Sequence, residues 1–192
     1  MFERTSRKFK KWNSQLLEQQ LLYVTKNIER RMNEHHHVLF CTNTKENTKQ
    51  AFFSGKIAQL LARKGKRVLY FQLYEHKARR TGLSRMTTVQ EGDHYKISRT
   101  VVGNVDDLQV YDLELVSSVF EERLEVWKES YEYIVVEAPE MMKNMYSQWI
   151  LSSSDAVVLF VKRKRTKRND MQQSKEYLVR QQKVLLGVVY EH

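Results

Sequence analysis

The chain has 192 residues, of which 41% are hydrophobic and 29% charged, with a formal net charge of +10. That length suits one domain with a sizeable core, and the balance excludes a disordered polymer. No apolar run approaches the roughly 20 residues of a membrane span.

The excess of Lys and Arg points to acidic partners (nucleic acid, anionic lipid or an acidic protein surface), against the plainer reading of a solvated surface. Cys41 is the single cysteine, so no disulfide can form within the chain. Met1–Thr5 has no apolar core of a secretory leader, and the expectation is a reducing, cytoplasmic setting.

Residues 1–11 form a basic head, with Arg4, Arg7, Lys8, Lys10 and Lys11 against Glu3. Leu16, Leu17, Gln20, Leu21, Val24 and Ile28 recur at helical spacing, which predicts an amphipathic helix over 13–33. This helix packs either on its own sheet or on another copy of the chain. Val38–Thr42 reads as a buried strand with Cys41 as a small core residue. A helix follows over Ala51–Lys64, with Phe52, Phe53, Ile57, Leu60 and Leu61 inward and Gly65 ending it. Arg67–Leu73 is the next strand.

Tyr95–Val102 is strand-like, and Leu108–Tyr111 is a better strand. Leu115–Lys128 is a helix with Leu115, Val119, Leu124 and Trp127 toward the core. Tyr133–Glu137 is a strand, Met142–Ser152 a helix, Ala156–Val161 a strand, Asp170–Gln182 a helix and Val184–Tyr190 the last strand. Short apolar strands alternating with helices predict a three-layer α/β/α fold with a mostly parallel sheet. With one proline and no linker, a single α/β domain is expected over 1–192.

The stretch from Val38 to Ala51 is strand, tight loop, helix, the place where P-loop proteins hold phosphate. That chemistry uses glycines to turn backbone N–H groups inward, a lysine for the outer phosphates and a Ser/Thr for magnesium. The loop Asn43-Thr44-Lys45-Glu46-Asn47-Thr48-Lys49-Gln50 contains no glycine.

Leu61–Leu69, Thr81-Gly82-Leu83-Ser84, Glu114–Phe120, Tyr131–Pro139, Ser154–Val161 and Leu185–Tyr190 occur in order and at spacing that resembles the bacterial tyrosine kinases of capsule and exopolysaccharide synthesis. These are P-loop proteins related to the MinD/ParA ATPases. Counting back from Gly65, the resemblance puts the family's phosphate lysine on Gln50 and the next Ser/Thr on Ala51. The two loop glycines fall on Asn47 and Lys49. The paired aspartates of the second acidic motif fall on Gln72 and Tyr74, and the Walker B aspartate on Glu137. The Glu-x-x-Arg-x-x-Arg assembly motif falls on Gln19, Leu22 and Thr25. The tyrosine-rich tail that the family phosphorylates has no counterpart up to His192.

The resemblance therefore implies a pseudokinase, with no catalytic residues among Gln50, Ala51, Gln72, Tyr74 and Glu137, no metal and no cofactor. The expected role is regulatory or adaptor, in polysaccharide biosynthesis. The implied partner is a membrane-embedded co-polymerase or activator, or a kinase paralogue, at the inner face of the membrane. Self-association into a homo-oligomer is compatible with this reading, while nucleic acid is disfavoured.

A weakly active tyrosine autokinase is the alternative, binding ATP and magnesium through Lys45, Thr48 or Lys49 with Glu137. A MinD/ParA-like module that binds anionic lipid or DNA through basic loops is the third reading. The loops leaving the carboxyl ends of the strands carry Lys77, Arg79, Arg80 and Arg85, then Lys162, Arg163, Lys164, Arg165, Lys167 and Arg168. In an open α/β sheet this is the ligand edge, so these residues form a candidate anion-docking surface. His35-His36-His37 alternate in direction on entering a strand and make a poor metal set. Met141, Met142 and Met145 are expected to fill core or interface space.

Overall fold

A computed structural model describes residues 2–32, 35, 37–44, 49–73, 100–104 and 113–191. Its helices are α1 (Phe2–Arg31), α2 (Gln50–Arg63), α3 (Leu113–Ser130), α4 (Met145–Ser152) and α5 (Arg168–Arg180). Its strands are β1 (Val38–Asn43), β2 (Val68–Gln72), β3 (Thr100–Asn104), β4 (Tyr133–Glu137), β5 (Ala156–Lys162) and β6 (Val184–Glu191).

The strands form one sheet in the order β3-β2-β4-β1-β5-β6. Every pairing is parallel. Side chains alternate across the sheet, so each strand feeds two cores. Leu39, Cys41, Tyr70 and Val135 pack with α1 and α2 on one face. Phe40, Phe71, Val136 and Leu159 pack with α3, α4 and α5 on the other. This is the expected three-layer α/β/α arrangement.

The helix expected over 13–33 spans Phe2–Arg31 and takes in the basic head. It packs on its own sheet: Leu21, Val24, Ile28 and Met32 are buried. Gly187 lets β6 approach it closely, because a Cβ there would lie 2.7 Å from Val24 Cγ2. Phe52, expected inward, is 45% exposed, with Lys56 Nζ 5.8 Å from its ring centroid. The turn of α2 that carries it faces solvent, and Phe53 takes the core position.

β3, Thr100–Asn104, takes in the end of the strand-like run expected over Tyr95–Val102, and residues 95–99 lie outside the described residues. The strand expected at Leu108–Tyr111 lies outside the described residues, as do the side chains of Leu115 and Val119. The helix expected from Met142 starts at Met145, because Asn144 caps it by accepting from Ser147 N–H. Met141 is buried and Met142 packs against the core, but Met145 is 50% exposed. α5 starts two residues earlier than expected, since Asp170 accepts the backbone N–H of Lys167 at 2.9 Å.

Carboxylates hold the amino edge of the sheet. Asp155 Oδ2 accepts from the backbone N–H groups of His37 and Val38 at 2.8 and 2.7 Å. Glu132 accepts from Lys66 Nζ and from the Arg67 N–H, each at 2.9 Å. Within the histidine run, the His37 ring lies 3.3 Å from the Tyr131 carbonyl, a structural contact. Among the described residues no group of three His, Cys, Asp or Glu could hold a metal.

Candidate functional site

In parallel register Cys41, Glu137 and Gln72 stand side by side at the carboxyl ends of β1, β4 and β2. All three belong to the face covered by α2, so the helix N-terminus sits over them. The bonds there run inward.

Gln50, the first residue of α2, is fully buried. Its Nε2 donates to the carbonyls of Cys41 at 3.0 Å and Ala138 at 2.6 Å. Its Oε1 accepts from Asn43 Nδ2. One amide thus ties the helix to the ends of β1 and β4. Asn43 Oδ1 is left buried without a hydrogen-bond partner.

Glu137 is also buried, and its Oε2 accepts from the Tyr70 hydroxyl and, at 2.9 Å, from Gln72 Nε2. The Tyr70 hydroxyl lies 3.3 Å from Ser54 Oγ, which donates back to the Gln50 carbonyl at 2.8 Å. Burial raises the Tyr70 phenol well above its usual range, and the Glu137 charge beside it raises it further. Cys41 is pushed up by burial first and by Glu137 second, so its thiol is not an activated nucleophile.

Both ends of the Gln50 amide are engaged by protein groups, Ala51 has no hydroxyl, and Glu137 faces a phenol and an amide. The glycines that the loop lacks would have supplied the backbone cradle.

Lys49 is 56% exposed and pairs with Glu191 Oε1 at 2.7 Å. Lys162 lies 3.7 Å from the other oxygen of Glu191. The end of β6 therefore draws two candidate anion-binding lysines toward one nearly buried carboxylate, whose role the sequence reading missed. Its signal was faint: a lone acid closing an apolar strand. Past Lys162 the loop leaves the sheet with Arg163, Lys164, Arg165, Lys167 and Arg168 all exposed. Thr166 anchors it, its Oγ1 lying 3.0 Å from Thr44 Oγ1. Lys45, Thr48, Tyr74, Lys77, Arg79, Arg80 and Arg85 lie outside the described residues.

Solved structures share this fold. The VpsO kinase domain superposes with a TM-score of 0.65 at 19% identity, over 91% of this chain and 97% of that one. The kinase domain of the Escherichia coli tyrosine kinase ETK gives 0.61 at 15% identity, over 85% and 70%. A plasmid partition protein from Borrelia burgdorferi gives 0.57 at 11%, over 81% and 78%. The chain has the fold of bacterial tyrosine-kinase domains and of partition ATPases. No family model matches its sequence, and no curated protein does.

Proposed function

We propose that this chain is a catalytically inactive counterpart of the capsule and exopolysaccharide tyrosine kinases, acting by binding as a regulatory or adaptor protein. One observation carries the reading: Gln50, at the position of the phosphate lysine, is turned into the protein and bonded at both ends of its amide. Phosphoryl transfer depends on positioned charge, and losing one preorganised donor typically costs roughly 3–4 kcal/mol of transition-state stabilisation. Here the lysine, the metal hydroxyl and the paired carboxylates are replaced together. The partner that suits this reading is a membrane-embedded co-polymerase or activator, or an active kinase paralogue, met at the inner face of the membrane. The fold shared with tyrosine-kinase domains supports the type of partner.

The test is thermal unfolding with and without MgATP. A ligand at a hundredfold its Kd stabilises the folded state by about 2.7 kcal/mol. The expected outcome is an unchanged midpoint at millimolar MgATP, with no phosphotyrosine formed on the protein. A clear rise in the midpoint, lost in Lys49→Ala, would favour the weak-autokinase reading instead.

A further inference from the structure

Helix α1 runs antiparallel to β6. The Tyr190 N–H donates to Gln20 Oε1 at 2.8 Å, Val24 faces Gly187, and Asn27 Nδ2 reaches the Leu186 carbonyl at 3.4 Å. Gln20 is thus level with the last residues of β6. Helix α1 nevertheless continues back to Phe2. At 1.5 Å per residue the part before Gln20 extends about 27 Å past the carboxyl edge of the sheet. The side chains of α1 are described from Gln15 onward, and the first of these packed on the core shared with the sheet is Leu17.

The sequence of this projecting half has its own polarity. At about 100° per residue, Phe2, Phe9, Trp12, Leu16 and Tyr23 fall within a sector of about 80°. Leu21, Val24, Thr25, Ile28 and Met32, all buried, occupy a different and non-overlapping sector. Tyr23, the member of the first sector on the docked half, is 67% exposed. Arg4, Arg7, Lys8, Lys10 and Lys11 fall largely opposite the aromatic sector. The helix therefore carries two apolar stripes, one of which closes the protein core.

We propose that the first half of α1 is an in-plane membrane-binding helix whose Phe2, Phe9 and Trp12 enter the headgroup boundary of an anionic bilayer. Basic residues opposite an aromatic stripe are the pattern of helices that lie in that interface. Each Lys or Arg near an anionic surface adds attraction. Nucleic acid or an acidic peptide would use the charge and leave two phenylalanines and a tryptophan in water, which favours lipid. The loop after β5 stands at the root of the helix: Arg163 N–H donates to the Glu191 carbonyl at 2.9 Å, one residue from the Gln20 contact. It adds positive charge at the root of the helix. This assignment does not depend on the state of the nucleotide site.

Flotation of the full chain is compared on phosphatidylcholine vesicles and on vesicles enriched in phosphatidylglycerol, at low and high salt. Binding to the anionic vesicles alone is expected, weakened by salt, with a blue shift of tryptophan emission that disappears in Trp12→Ser. Phe9→Ser combined with Trp12→Ser keeps every charge and is expected to lower partitioning more than about tenfold. Lys8→Glu with Lys11→Glu is expected to abolish it. Circular dichroism and thermal melting of each variant should match the parent. Absence of flotation at low salt would overturn the proposal. So would partitioning unaffected by the Phe9 and Trp12 changes, or tight binding to DNA or an acidic polypeptide with no lipid binding.

Discussion

Gln50 is where residue chemistry decides most. A glutamine at the head of a helix would ordinarily face water, but here its amide satisfies two strand-end carbonyls and one asparagine. Removing one partner from a buried polar network leaves the others unsatisfied, at about 1–3 kcal/mol. Gln50→Ala should therefore lower stability by roughly 2–3 kcal/mol in urea unfolding. Ala51→Thr on the adjacent surface of α2 should change it by well under 1 kcal/mol. Equal small effects from both would mean that the inward bonds carry no stability. The family resemblance singled out Gln50 as a position of interest; the sequence gave no sign that its side chain would be a strut, because its three partners are 7, 9 and 88 residues away.

Among elements, α1 and β6 approach closely at Gly187. Val24 is buried and its methyl occupies the space that a side chain at Gly187 would need. Gly187→Ala should cost about 1–3 kcal/mol by overpacking. Combining it with Val24→Ala should recover part of that loss, a coupling that a double-mutant cycle measures. Additive losses would place the strain elsewhere. The buried stripe of α1 was legible from its helical spacing, and so was its amphipathic character. Its extension back to Phe2 was not, since a run of Arg and Lys reads as a solvated head until the backbone is seen to continue through it.

At the scale of the whole molecule the amino edge of the sheet is closed by carboxylates. Glu132 is held below the ordinary carboxylate range, first by the Arg67 backbone N–H and then by Lys66. A folded-state pKa lowered in this way adds stability that is fully present above the unfolded-state value. That contribution is lost as pH falls through the folded-state value. Lys66 is raised by the same partner, so the pair is intact at neutral pH. Both side chains are over a third exposed, which keeps the contribution small, within about 1 kcal/mol. Unfolding midpoints taken across the acid range should fall less steeply in Glu132→Gln than in the parent. Parallel acid limbs would show that other carboxylates govern acid unfolding.

The order of elements and the class of the sheet follow from the sequence by itself, because hydrophobic periodicity is local: alternation of buried strands with amphipathic helices leaves few arrangements open. The family resemblance also picked out Gln50, Gln72 and Glu137 as positions to inspect, and these lie together at one end of the sheet. Tertiary structure alone decided that these positions close on one another through Gln50, Tyr70 and Glu137. It also decided that Glu191 draws in Lys49 and Lys162, and that the backbone of α1 runs on past the last residues of β6. Those outcomes depend on which strand ends become neighbours, a property of chain crossovers and not of any stretch of residues.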